Sequence, residues 1–174
     1  LAANGVPLPS AVRLEELLRQ LRTAGADSRV RIVVGEFDVR CFRGNAYVLR
    51  TRATVPRGFL KRWQGEKRIS LDPLPGVIAF RERKGAGISR DRLAAEPVTL
   101  RLRRGGERLR RYGRRPRRSL KNLLQESAIP PWERETLPLL FSGDNLVWAP
   151  GIGVDCGYQA QPGEAAVAVA WEPA

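Results

Sequence analysis

VTLRLRRGGERLRRYGRRPRRSLKNLLQ (98–125) is the stretch on which the reading of this chain turns. It opens in strict alternation, with Val98, Leu100 and Leu102 on one side and Thr99, Arg101 and Arg103 on the other. That is the period of a β-strand. Gly105-Gly106, Gly113 and Pro116 then interrupt any regular element, so 104–118 is expected to be a loop. At Ser119 the period becomes helical: serine has N-cap chemistry, and Leu120, Leu123 and Leu124 fall on one face of a helix over 119–127. The same stretch carries the charge. Residues 101–121 hold 11 basic side chains and one acid, Glu107.

Working outward, Ile129-Pro130-Pro131-Trp132 stops the helix and opens a short turn, because proline is favoured at the first helical position. LPLLF (137–141) and LVWAP (146–150) read as a hairpin around Ser142-Gly143-Asp144-Asn145. AVAVAW (166–171) reads as a last buried strand. Towards the N-terminus, Ser10 precedes an amphipathic helix over 11–23, with Leu14, Leu17, Leu18 and Leu21 at i, i+3, i+4 and i+7. RIVV (31–34), FDVRCF (37–42) and AYVL (46–49), separated by glycine-containing turns, predict a three-stranded meander. In its middle strand Phe37, Val39 and Cys41 share one face, and Asp38, Arg40 and Phe42 the other. ISL (69–71) and GVIAF (76–80) resume strand character. Residues 83–97 are polar and hold no long periodic element, so a domain boundary is placed there. The expected fold is α+β, with two small domains. A helix plus antiparallel meander and linker occupies 1–94, and a mixed, mainly β domain with one or two short helices occupies 95–174.

The 174 residues carry 31 Lys and Arg against 18 Asp and Glu, a net charge of +13. The excess is local. Residues 1–80 hold 14 basic and 7 acidic side chains, 81–121 hold 16 and 4, and 122–174 hold one and seven. With 43% hydrophobic residues a real core is expected, and no apolar run is long enough to span a membrane. LAANGVPLPS (1–10) has neither the basic start nor the apolar run of a signal peptide. The chain begins at Leu1 and contains no Met, so it is expected to be part of a longer polypeptide. Histidine is absent, which removes the commonest general base and metal ligand. Cys41 and Cys156 are too few for a zinc site or a disulfide framework, and a reducing cytoplasm is the default.

None of the glycine-containing stretches, KGAG (84–87), RRGGER (103–108) and GIGVDCG (151–157), has the spacing of a nucleotide-binding loop. Cys156 has no histidine to activate it, and both cysteines read as structural thiols. No self-contained catalytic apparatus and no metal site are expected. The basic block is the feature that points to a partner. Eleven positive charges in so short a segment repel one another unless a polyanion neutralises them. The candidates are Arg101 and Arg103 on the strand, then Arg104, Arg108, Arg110, Arg111, Arg114, Arg115, Arg117 and Arg118 on the loop. Tyr112 either stacks on a base or packs back on the core. Trp63, Trp132, Trp148 and Trp171 read as core or interdomain anchors.

RRSLKNLLQESAIPPWERETLPLLFSGDNLVWAPGIGVD (117–155) strongly resembles the C-terminal domain of the tRNA(Ile)-lysidine synthetases. Leu120, Lys121, Glu126, Pro130, Pro131, Trp132, Arg134, Pro138 and Gly151 fall on fixed positions of that pattern. PLPS (7–10), the helix and GEFDVRCFRGNAYVLR (35–50) are similar, more loosely, to the distal half of the family's middle, substrate-recognition domain. The resemblance implies an enzyme that activates the wobble cytidine of the CAU anticodon of tRNA(Ile) with ATP and magnesium and joins lysine to it. ATP and the catalytic groups belong to an N-terminal PP-loop domain with the signature S-G-G-x-D-S, which is absent from these 174 residues. This chain is then expected to be the tRNA-binding part, inactive alone and without cofactor, with tRNA(Ile) as partner. Lysine and ATP are reached through the catalytic domain, no membrane is involved, and a homodimer is left open. Arg118, Lys121 and Arg134 match positions of the family motif and join the RNA-contact candidates, Arg134 equally as a residue that orients the turn. The competing readings are a general RNA-binding or ribosome-associated domain, and a stand-alone enzyme using Cys156 or a carboxylate.

Overall fold

The computed structural model describes residues 10–23, 31–50 and 58–173. The chain divides into two compact units, Leu1–Thr54 and Val55–Ala174. The first contains α1 (Ala11–Thr23), β1 (Arg31–Val34), β2 (Phe37–Phe42) and β3 (Asn45–Arg50). The three strands form an antiparallel sheet in the order β1-β2-β3. Strand order follows chain order because glycine at positive φ permits each tight reversal: Gly35 at +58° and Gly44 at +76°. Val34 and Val39 form its small core, with Ile32, Phe37 and Val48 packed around them. The side chains of Leu17 and Leu21 lie outside the described set. Leu18 is exposed and Leu14 half-buried.

The polar face of β2 is not open. Asp38 is 2% exposed. It accepts from Arg31 Nε at 3.1 Å and Arg40 Nη2 at 2.9 Å, one partner on the neighbouring strand and one on its own. Burial pushes the Asp38 carboxyl up, but the hydrogen bonds and charges of the two arginines outweigh it and hold the group below its ordinary value.

The second unit contains β4 (Leu60–Arg62), β5 (Arg68–Ser70), β6 (Val77–Lys84), β7 (Ile88–Ser89), α2 (Arg90–Ala94), β8 (Val98–Arg101), β9 (Arg108–Leu109), β10 (Arg118–Ser119), α3 (Leu120–Glu126), α4 (Pro131–Arg134), β11 (Leu139–Ser142), β12 (Asn145–Ala149), β13 (Gly153–Val154) and β14 (Ala165–Glu172). The expected α+β class holds: short helices and antiparallel sheets. One sheet has the order β13-β12-β11-β8-β4 and a second the order β5-β6-β14-β7, while β9 and β10 pair as a separate two-stranded ribbon.

The boundary expected at 94/95 does not divide the fold. β6 pairs with β14 in unbroken register from Val77↔Glu172 to Lys84↔Ala165, and β4 pairs with β8. Residues 58–94 are therefore woven into the sheets of the second unit. The polarity that suggested a linker has a different cause. Arg81, Glu82, Arg83 and Lys84 lie on an exposed extension of β6, and α2 is only five residues long. That short helix is nonetheless anchored. Leu93 is fully buried, and Ser89 accepts from the Arg92 N–H as its N-cap. Ser89 Oγ also donates to Glu164.

The five-stranded sheet is covered on both faces. Leu100, Leu140, Val147 and Trp148 share a core with Leu71, Ile78, Phe80, Ile88 and Val167 of the other sheet and its connections. Leu139, Phe141, Leu146 and Ala149 share a second core with Leu109, Leu120, Leu123 and Leu124. This double coverage explains why β11 is buried at every residue instead of at alternate ones. It also places Thr99, on the side of β8 expected to be open, at 4% exposure. α3 begins as its sequence predicts, with Ser119 Oγ accepting from the Asn122 N–H. Its three leucines are buried against the sheet, each burial favourable by about 1.5–3 kcal/mol.

Candidate nucleic-acid interface

Residues 101–121 leave the end of β8, pass through the ribbon of β9 and β10, and finish on α3. Mutual repulsion should splay such a segment. Three carboxylates hold it instead. Glu107, the single acid within the block, accepts from the backbone N–H groups of Arg104 at 2.5 Å and Gly105 at 2.9 Å, and its other oxygen stands 3.7 Å from Arg103 Nε. Asp155, fully buried, accepts from the Arg110 N–H at 2.8 Å and the Gly157 N–H at 2.9 Å. Glu126, at the end of α3, takes both terminal nitrogens of Arg118. The hydrogen bond from Arg118 holds the Glu126 carboxyl below its ordinary range. The charges of Arg118 and Arg111 add to this effect, and partial desolvation opposes it. The same pair raises the Arg118 guanidinium.

Backbone contacts complete the frame. Cys156 N–H donates to the Arg110 carbonyl at 2.7 Å, and Leu120 N–H to the Glu107 carbonyl at 2.8 Å. Arg108 Nη2 donates to the Arg117 carbonyl at 2.9 Å, closing the base of the loop. Arg115 N–H donates to the Tyr112 carbonyl at 3.0 Å, which makes the tip a turn.

The frame sorts the predicted site residues. Arg101 is engaged in its own fold. It donates to Thr99 Oγ1 and the Gly143 carbonyl, faces Asp144 at 3.4 Å, and lies over the Phe141 ring at 5.0 Å. Arg103 is half-buried beside Glu107, and Arg110 is half-buried with its Nε enclosed by protein. Arg118 is paired with Glu126, and Arg134 Nε donates to the Ile129 carbonyl at 2.6 Å. Arg104, Arg111, Arg114, Arg115, Arg117 and Lys121 are exposed, and none forms an ion pair among the described residues. Arg108 is exposed as well, with one nitrogen committed to the loop closure. The structure thus leaves Arg104, Arg111, Arg114, Arg115, Arg117 and Lys121 exposed along 104–121 and engages Arg101, Arg103 and Arg134 in structural contacts.

The glycine stretches spend several of their backbone N–H groups within the fold. A phosphate cradle needs unspent N–H groups converging on one point. In 151–157, the Ile152 N–H goes to the Ala149 carbonyl, Asp155 N–H to Val147, Cys156 N–H to Arg110 and Gly157 N–H to Asp155. In 103–108, the amides of Arg104 and Gly105 are taken by Glu107, and in 84–87 that of Gly85 by the Glu164 carbonyl. Among the described residues no group of three or more His, Cys, Asp or Glu is arranged to hold a metal, and no helix is long and apolar enough to cross a membrane.

Two family descriptions match the chain: "TilS substrate binding domain" over residues 1–47 and "TilS substrate C-terminal domain" over 98–171. They define a class of substrate-binding modules, with one match lying in each unit. The chain belongs to the tRNA(Ile)-lysidine synthetase (TilS) family. It is 43% identical over 173 residues to the tRNA(Ile)-lysidine synthase of Nitrosomonas europaea and 36% identical to that of Azoarcus sp.. Each alignment covers 99% of this chain but 38% and 37% of the relative, so the chain spans well under half the length of these proteins. A crystal structure of a TilS C-terminal domain superposes with a TM-score of 0.47 at 22% identity, over 57% of this chain and 88% of that one.

Proposed function

We propose that this chain is the tRNA-docking portion of a tRNA(Ile)-lysidine synthase, with the second unit gripping tRNA through the outward cations of 104–121. The carrying observation is the division of labour within the basic block. Glu107, Asp155 and Glu126 fix its backbone and two of its arginines, while Arg104, Arg111, Arg114, Arg115, Arg117 and Lys121 are exposed and form no ion pair within 4 Å among the described residues. Preorganised, unneutralised guanidinium groups are the physical requirement for binding phosphates at low entropic cost. Arg108, Arg110 and Arg118 shape this surface, and Arg101, Arg103 and Arg134 support it from within.

In this reading the first unit belongs to the substrate-recognition part, and the second is the C-terminal tRNA-binding part. The parent protein is an ATP-dependent ligase that joins lysine to the wobble cytidine of tRNA(Ile). ATP, magnesium and lysine meet in a PP-loop domain outside these 174 residues, and the reaction takes place in the cytoplasm. Recognition of stems should rest on phosphates and 2′-hydroxyls, with little base readout.

Filter binding of the full chain to a tRNA(Ile) transcript, against bulk tRNA and a DNA duplex of equal charge, tests the reading. Preference for both tRNA samples over the DNA duplex is expected. Equal binding to all three would replace it with a general polyanion-binding surface.

A further inference from the structure

The three carboxylates that hold the basic segment do not hold it in the same way. Glu107 and Asp155 take main-chain N–H groups, and both are enclosed: the Glu107 side chain is 9% exposed and Asp155 is fully buried. Glu126 takes no main-chain N–H among the described residues. Its two oxygens receive the two terminal nitrogens of Arg118, Nη1 at 2.8 Å, in a fork that faces water, with side-chain exposures of 45% for Arg118 and 56% for Glu126. The pair lies within the basic surface. Arg118 follows the exposed Arg117 and opens β10, Lys121 is exposed on α3, and the charge of Arg111 also acts on the Glu126 carboxyl.

We infer that Arg118 is a phosphate ligand masked in the free protein by Glu126, and that a backbone phosphate of the bound RNA exchanges with this carboxylate. A phosphodiester offers two unesterified oxygens to the guanidinium fork, as a carboxylate does. An exposed ion pair is weakly held, because solvent screens it and two long side chains lose freedom in making it. The exchange keeps the guanidinium partnered and disturbs no core contact: Ser119 caps α3, and Leu120, Leu123 and Leu124 bury it, without help from the pair. The phosphate arrives where Arg111, Arg117 and Lys121 add attraction, while Glu126 returns to water. The inference rests on the proposed docking of tRNA. It goes beyond that reading by adding a contact that the free protein conceals and by making Glu126 an internal competitor of the ligand.

The test measures binding of a tRNA(Ile) transcript by the full chain over a range of salt concentrations, with thermal melts alongside. The variants are Glu126→Gln, Glu126→Asp, Arg118→Ala and the double variant Glu126→Gln with Arg118→Ala. Glu126→Gln should tighten binding about two- to fivefold, the worth of an exposed ion pair. Glu126→Asp keeps the charge but is one methylene too short for the fork, and should tighten binding too. Arg118→Ala should lower the salt slope by about one, and in its background Glu126→Gln should lose most of its gain. A gain that persists in full without Arg118, and is missing from Glu126→Asp, would make Glu126 a simple like charge. An unchanged slope for Arg118→Ala, or weaker binding by Glu126→Gln with an unchanged melt, would make the pair a structural anchor. Each of these results overturns the inference and leaves the docking surface in place. No binding of the transcript by the parent chain overturns both.

Discussion

The buried carboxylate of Asp155 accepts the backbone N–H of Arg110 at 2.8 Å, across 45 residues of chain. A second oxygen of the same group takes the Gly157 N–H at 2.9 Å. The acidic C-terminal part of the chain is thus physically joined to the arginine loop through its main chain. The charge at this contact supports the shape of the loop and leaves the guanidinium groups beyond it available.

Removing that acceptor should loosen the loop. Asp155→Ala removes the acceptor of two N–H groups at a part-buried site, at a cost of about 1–3 kcal/mol. Urea denaturation should show the loss as a lower midpoint with an unchanged slope. Asp155→Asn, which still offers one acceptor oxygen, should lose less. Equal stability of Asp155→Ala and the parent would mean that the loop holds itself.

Leu124 is fully buried where α3 meets the five-stranded sheet. Leu124→Ala should cost about 2–5 kcal/mol through lost burial and a residual cavity. Because α3 carries Lys121 and the Glu126 anchor, tRNA affinity should fall with it. A thermal melt beside a binding titration separates the two effects.

Gly87 has φ of +109°, and a Cβ there would come within 2.6 Å of the Val167 carbonyl oxygen. That oxygen is backbone in the central strand β14 and cannot swing aside. Gly87→Ala should therefore destabilise the second unit by more than about 1 kcal/mol, read as a lower melting temperature. At the exposed Gly105 an added Cβ would meet nothing within 4 Å, so a substitution there is strained by the φ of +98° alone, and Asn should be tolerated better than Ala.

Acid should weaken the first unit. The Asp38 carboxyl is held below its ordinary value when folded, so the unfolded chain binds its proton first as pH falls. The stabilisation is complete above the ordinary carboxylate range and is lost as pH drops through the depressed folded value. Asp38→Asn should flatten that acid limb in a pH series of denaturation midpoints. An identical pH profile would show that the two arginines do not favour the charged form.

Much of this architecture was legible in local sequence. α1, the meander, the Ser119 cap, the 137–150 hairpin and the last strand all announce themselves through period, cap chemistry or turn glycines. What stayed hidden depends on long-range pairing. The polar residues 81–84 form a strand because β14, far along the chain, supplies its partner, and no local pattern carries that information. The charge block marked the face, but composition could not say which arginines are spent. Arg101 is consumed by Thr99, Gly143 and Asp144, and Arg118 by Glu126. Glu107 had a signal, as the only acid inside the block. Asp155 had none, since its partner is a backbone N–H 45 residues away.

The salt dependence of tRNA binding by the full chain tests the central claim most directly, measured for the parent and for single alanine variants at Arg104, Arg111, Arg114, Arg115, Arg117, Lys121 and Arg101. Affinity should fall linearly on a log–log plot. Each variant among the first six that removes a phosphate contact should lower the slope by about one, while Arg101→Ala leaves it unchanged. A flat plot for the parent, or a slope that drops for Arg101→Ala and for none of the exposed residues, would contradict the account.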